Sequence, residues 1–189
     1  VRTTDAAGNV STDADVPTIT EDSTAPAAPT GLDLARNSDS GDSSSDNITN
    51  RTTVTIEGAD GSAEDGSTIT LFSDLDGQLG TTTVDNDWDM SVSLTEGVHQ
   101  ITANATDPAG NVSDVSDALT ITVDVTAPTV TDISATADTI TITTSESVMS
   151  GESGEIVLLQ GQTRLADIAS DSSRVTINGN TVTIDPSDD

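Results

Sequence analysis

The sequence has no Cys, no Lys and no Tyr, and only one Trp, one Phe and one His among its 189 residues. Each gap removes a class of chemistry. Without Cys there is no disulfide scaffold, no thiolate zinc site and no thiol nucleophile. Without Lys there is no Schiff-base amine, no P-loop and no lysine isopeptide cross-link. One Trp and one Phe supply no platform of rings for sugars. Basic charge is as scarce: Arg2, Arg36, Arg51, Arg164 and Arg174 stand singly against 33 Asp and Glu, for a formal charge of −28. Phosphate backbones and anionic lipid repel such a chain, so neither nucleic acid nor a membrane surface is expected as a partner. No apolar run approaches the ~20 residues of a spanning helix, so direct membrane insertion is not expected either.

What is present is Thr, Ser and Asp in quantity, and a long internal repeat. Thr4-Asp5-Ala6-Ala7-Gly8-Asn9-Val10-Ser11 returns as Thr106-Asp107-Pro108-Ala109-Gly110-Asn111-Val112-Ser113, at an offset of 102 (106 − 4). The match runs without a gap to Thr24-Ala25-Pro26 and Thr126-Ala127-Pro128, with 15 of the 23 positions from 4 to 26 identical. A period near 100 residues is the size of a whole small domain, which predicts a tandem array. The Thr-Ala-Pro junctions divide the chain into the C-terminal strands of a preceding domain (1–24), a complete domain (25–126) and the N-terminal part of a following domain of a different type (127–189). The chain is accordingly expected to be a window on a longer protein.

The apolar periodicity of the middle unit is two. Thr53-Val54-Thr55-Ile56, Thr68-Ile69-Thr70-Leu71, Met90-Ser91-Val92-Ser93-Leu94, Ile101-Thr102-Ala103-Asn104-Ala105 and Leu119-Thr120-Ile121-Thr122-Val123 alternate apolar with small polar residues, the pattern of half-buried strands. Asp60-Gly61, Asp65-Gly66, Asp76-Gly77 and Glu96-Gly97 supply turns between them. Strands are expected near 31–35, 52–57, 67–73, 79–84, 88–94, 97–106 and 117–124. Seven short antiparallel strands in about 100 residues give an all-β fold, a tandem immunoglobulin-like β-sandwich.

Several stretches occur in a fixed order: Thr24-Ala25-Pro26, Asn37-Ser38-Asp39-Ser40-Gly41, Ser45-Asp46-Asn47-Ile48-Thr49-Asn50, Asn86-Asp87-Trp88, Thr106-Asp107-Pro108-Ala109-Gly110-Asn111 and Asp124-Val125-Thr126-Ala127-Pro128. In this order they resemble the bacterial Ig-like tandem repeats of giant surface adhesins of the type 1-secreted, RTX-adhesin-like kind. The resemblance covers 25–126, and 1–24 through the repeat. Segment 127–189, with Thr143-Thr144-Ser145-Glu146-Ser147-Val148, is similar to a related type. The resemblance implies an extracellular stalk rigidified by Ca2+, whose partners are the adjacent Ig-like domains of the same chain, with any host or surface ligand bound elsewhere in the parent protein.

Topology supports the calcium expectation separately. If strands alternate up and down, loops 36–51, 74–78 and 95–97 gather at the C-terminal pole, and loops 58–66, 85–87 and 107–115 at the N-terminal pole. Asp22 in the incoming linker then lies near Asp60, Asp65, Asp107 and Asn111. Asp124 in the outgoing linker lies near Asp39, Asp42 and Asp46. Asp5 and Asn9 join the candidate ligands as the repeat equivalents of Asp107 and Asn111. Calcium takes six to eight oxygens from carboxylates, amides and carbonyls, and such loops offer them. Residues 25–126 carry two Arg against eighteen Asp and Glu; without a cation, carboxylates crowded at one pole would repel each other.

The competing reading of these residues is that Asp and Asn form turns for backbone reasons of their own. Excess Asp with no Lys also suits a salty habitat. Asp85-Asn86-Asp87-Trp88-Asp89 imitates the start of an EF-hand loop but lacks its Gly at position six and its flanking helices. His99 is in phase with Ile101 and Ala103, which marks a strand histidine and not a catalytic base. Trp88, opening the run Met90, Val92, Leu94, belongs to the core. Carboxylate pairs are always findable among 33 acids, so no glycosidase site follows from them. The function expected is non-enzymatic: a stalk segment supporting cell adhesion or biofilm formation. The alternatives are a ligand- or glycan-binding module and an extracellular filament subunit built by strand donation.

Overall fold

A computed structural model of the chain describes residues 2–12, 20–41, 43–149, 155–160, 162–169 and 172–186; for 155–160 and 163–167 it describes the backbone alone. The chain divides into two compact units, 1–125 and 126–189.

The first unit is a sandwich. One sheet has three strands in the order β1 (Asp33–Leu34), β3 (Thr53–Glu57), β6 (Asp89–Ser93). The other has five, in the order β2 (Ile48–Thr49), β8 (Leu119–Val123), β7 (Gly97–Thr106), β4 (Thr68–Ser73), β5 (Gly77–Thr83). All pairings are antiparallel except β2 with β8. Alternation along each strand dictates the layers. Val54, Ile56, Met90 and Val92 point inward from the small sheet, and Ile69, Leu71, Ile101, Ala103, Ile121 and Val123 from the large one, all buried. Trp88 closes the N-terminal end of this core. It is 5 % exposed, and its Nε1 donates to Ser62 Oγ at 3.2 Å.

Seven strands were expected and eight form. The additional one, β2, is two residues long, too short to show alternation, and lies inside the Ser- and Asp-rich stretch 36–51. Thr49 makes it a strand: its side chain is 1 % exposed, and its Oγ1 donates to Ser38 O at 2.6 Å. The stretch expected to be one loop is therefore a crossover that carries the chain from the small sheet to the edge of the large one. Asn47 turns the corner in the left-handed region, at φ 60°, where Asn is favoured among non-glycine residues.

Loop contacts define the two ends. Asn86 N donates to Asp65 Oδ1 at 2.6 Å across the N-terminal end, and Thr95 N donates to Asp76 Oδ2 at 2.9 Å across the C-terminal end. Within 1–24, Thr4 and Val10 form an antiparallel bridge around the Asp5–Asn9 loop. Of the C-terminal strands expected in 1–24, residues 13–19 lie outside the described residues.

The second unit contains a four-stranded antiparallel sheet in the order β13 (Val175–Asn178), β14 (Thr181–Ile184), β10 (Ile140–Thr144), β9 (Val130–Ala135), and a hairpin of β11 (Glu155–Gln160) with β12 (Thr163–Ala169). Register places Ile177, Val182, Ile142 and Ile133 in one row, and Thr176, Thr183, Thr141 and Ser134 in another. One face is thus aliphatic and the other hydroxylated, as period-two alternation requires.

Candidate functional site

The repeated Asp-x-x-Gly-Asn loops have the same geometry in both copies. Asp107 Oδ1 accepts from Asn111 N at 2.8 Å and Oδ2 from Asn111 Nδ2 at 2.8 Å, while Asp107 N donates to Asn111 O and Gly110 N to Asp107 O. Asp5 Oδ1 accepts from Ala7 N and Asn9 N, and Oδ2 from Asn9 Nδ2 at 2.8 Å. The Asn111 side-chain amide, followed by backbone N–H donors, holds the Asp107 carboxyl below the ordinary carboxylate range; the Asn9 side chain does the same for Asp5. Each carboxylate oxygen is already bonded within its own loop, and that bonding accounts for the Asp-to-Asn spacing of four. Asn111 Nδ2 also donates to Asp22 O at 3.2 Å, which ties the incoming linker to the N-terminal pole through backbone. The Asp22 carboxylate caps its own turn through Thr24 N at 3.0 Å. Asp65 binds Asn86, and Asp60 is exposed in the 58–66 turn.

The C-terminal pole is built differently. Asp39 is 6 % exposed; its N donates to Ala35 O, and its Oδ2 accepts from Asn47 N at 3.1 Å. Its Oδ1 is buried without a hydrogen-bond partner, and so is Asn47 Oδ1. Asp46 Oδ1 accepts from Ile48 N at 3.2 Å, and Asp124 N donates to Thr49 O at 2.9 Å, so the outgoing linker leaves beside β2. Asp42 lies outside the described residues. Among those described, no three of His, Asp and Glu converge as a metal-holding group. The buried oxygens without a partner at this pole are one from a carboxylate and one from an amide. Two buried oxygens lacking a donor need an explanation, and a hard cation that takes oxygen ligands fits them. Asn47 lies in the Ser45–Asn50 stretch but is not among the candidate ligands read from the sequence, because nothing local sets it apart from the neighbouring Asn and Asp residues.

His99 is fully buried beneath the same pole. Ser73 Oγ lies 2.9 Å from Nδ1, Asp76 Oδ2 lies 3.6 Å from that same nitrogen, and Nε2 meets Thr95 O at 2.8 Å. A hydrolase triad needs the hydroxyl on one ring nitrogen and the carboxylate on the other. Here both approach Nδ1, so the histidine stitches β4 to the turn after β6. Asp76 in turn accepts from Thr95 N and Oγ1, chiefly the backbone bond, and its carboxyl is held below the ordinary range.

An open groove of about 670 Å³ runs past Arg36, Glu57, Asp60, Asp87, Trp88 and Asp89. Its acids are exposed, and its one ring, Trp88, is buried in the core, so it presents no open stacking surface.

The sequence profile of the bacterial Ig-like domain matches residues 25–125, just over half of the chain. The chain belongs to the bacterial Ig-like domain family. The matched stretch of this bacterial Ig-like protein contains β1–β8, both poles and His99. No curated protein matches the chain. Among solved structures, one described as "Biofilm associated protein - BSP domain" aligns at 23 % identity with a TM-score of 0.31, over 55 % of this chain and 15 % of that one. The chain thus spans less than a sixth of that structure, and a likeness at this level carries no argument about activity.

Proposed function

We propose that this bacterial Ig-like chain is a non-enzymatic stretch of the stalk of a large extracellular, RTX-adhesin-like protein, stiffened by calcium at the C-terminal pole of the first unit. Tandem units of this kind, each roughly 30–40 Å long from strands at ~3.3 Å per residue plus loops, would hold an adhesive part of the parent protein away from the cell. That placement suits cell adhesion and biofilm formation. Family membership and the repeat support the stalk. The observation that carries the calcium reading is the pair of partnerless buried oxygens, Asp39 Oδ1 and Asn47 Oδ1.

Asp39 and Asn47 would hold the ion, and Asp46 and Asp124 add carboxylates on the segments beside them. Calcium bound there would supply the positive charge to which these oxygens could bind. The chain's own residues do the rest. Asn47 N fixes the Asp39 carboxylate, Thr49 Oγ1 pins the crossover to Ser38 O, and the Asp124–Thr49 backbone bond brings the outgoing linker to the same place. The Asp-x-x-Gly-Asn loops are closed by their own hydrogen bonds, and that of Asp107–Asn111 also clamps the incoming linker at Asp22 O. Small-angle scattering of the chain tests the stalk reading: the maximum dimension should be longer and more sharply defined in millimolar calcium than in EDTA. Identical distance distributions in the two buffers would overturn it.

A further inference from the structure

We infer that the outer face of the five-stranded sheet is a docking surface for the same face of a second copy of this chain. None of the residues of β2, β4, β5, β7 and β8 is Asp, Glu, Lys or Arg, in a chain of charge −28. The outer side of the small sheet carries Asp33, Glu57 and Asp89. The outer side of the large sheet instead presents hydroxyls, amides and a few apolar groups. Register sets Thr83, Thr68 and Thr106 in one row, and Thr81, Thr70 and Asn104 in the next. Gln100 and Thr120 bond each other across β7 and β8, at 3.0 and 3.2 Å. Phe72, the chain's single phenylalanine, sits on this side between Gln78 and Thr102 and is half-buried, while Val98 is 53 % exposed and Ile48 47 %.

Charge selects the partner. Two molecules this acidic repel wherever carboxylate meets carboxylate, and burying an ionised group costs far more than burying a hydroxyl. This face is where two copies can approach without desolvating a carboxylate. Its rim is acidic: Asp74 and Asp76 flank one end, Asp85 and Asp107 the other, and exposed Asp114 and Asp117 lie on the segment that bonds β7 at Ala105 and Ala103. Stacking two faces brings four such rims within reach of each other. The attraction, from hydroxyls, amides and a few apolar groups, is therefore short-ranged, while the repulsion is screened by salt, with a screening length of ~10 Å at 0.1 M and ~3 Å at 1 M. Association should strengthen with monovalent salt, opposite to docking by charge complementarity. The strands hold 2, 5, 10, 6 and 7 residues in sheet order, so at ~4.8 Å between strands and ~3.3 Å per residue the staggered face is about 500 Å², or about 1,000 Å² buried by a pair, the lower edge of a specific interface. The contact is accordingly weak in isolation and gains from multivalency.

Sedimentation equilibrium of the 189-residue chain in EDTA tests this without involving calcium. The association constant should rise at least tenfold from 50 mM to 1 M NaCl. T102D and T120D should abolish the gain, while S91D, on the outside of the small sheet, should leave it intact. Concentration-dependent amide shifts of the unaltered chain at 1 M NaCl should fall on β4, β7 and β8, a readout that needs no variant. A chain that stays monomeric at millimolar concentration in 1 M NaCl overturns the proposal. So does association that T102D and T120D leave unchanged, or shifts confined to other surfaces, or a monomer that a neutral polysaccharide retains through this face.

Discussion

Trp88 keeps its place because residue 58 has no side chain. A Cβ at Gly58 would lie 2.6 Å from Cε2, Cζ2 and Nε1 of the indole, closer than any real contact. Gly58→Ala should therefore displace the ring and break its bond to Ser62, at a cost of about 1–3 kcal/mol for overpacking. Fluorescence reads this directly, since there is one Trp: the emission should shift to the red and the urea midpoint should fall. The Asp107–Asn111 clasp makes a different expectation, tied to pH. Hydrogen bonds hold the Asp107 carboxyl below its ordinary pKa, so the clasp stabilises the fold at neutral pH and loses that contribution as pH falls through the folded-state value, below the ordinary ~3.9 of a free Asp. Asn111→Ala should lower the melting temperature at pH 7, with the gap to the parent closing as the pH is taken below the ordinary carboxylate range. A gap that stays constant across that range would show that the carboxylate is not the group involved.

The smallest element, β2, carries consequences out of proportion to its length. Thr49 Oγ1 is the latch that holds the crossover against Ser38 O. Thr49→Val keeps the shape and the β-branching but leaves that carbonyl buried without its donor, worth about 1–3 kcal/mol. Urea unfolding should show a lower midpoint with an unchanged slope; a changed slope would mean that the unfolding unit itself had altered. The longer strands were legible in the sequence because each alternates for four or more residues between Asp-Gly or Glu-Gly turns. β2 was not, because two residues carry no period and its partner β8 lies some 70 residues away. The same reason hid Asn47. Nothing local distinguishes its positive φ or its orphaned amide oxygen from the other Asn and Asp residues in that stretch. Asp39 stood out by its setting among Asn, Ser and Gly, but its near-complete burial comes only from the crossover folding over it. Asp107 and Asn111, read as candidate ligands from the sequence, also bond each other, a pairing that their spacing alone did not reveal.

Across the whole molecule, the charge is sorted. Within residues 25–125 the strands of the large sheet are neutral, the outer side of the small sheet bears Asp33, Glu57 and Asp89, and the loops and linker hold the other acids. Two different expectations follow from one distribution. Monovalent salt should promote contact between neutral faces, whereas calcium should act on one pole and leave those faces alone. The first unit has an aromatic-poor core, so an ion bound only in the folded state would contribute a large part of its stability, about 2.7 kcal/mol at a hundredfold excess over Kd. The most direct measurement is calorimetric melting of the chain in EDTA and in millimolar calcium, for the parent and for Asn47→Gly. Glycine accepts φ 60° and so preserves the turn while removing the amide oxygen. Calcium should raise the first unit's transition by on the order of 10 °C in the parent and by far less in Asn47→Gly. A parent indifferent to calcium, or a variant that responds to it as fully as the parent, would contradict the assignment of a cation to Asp39 and Asn47.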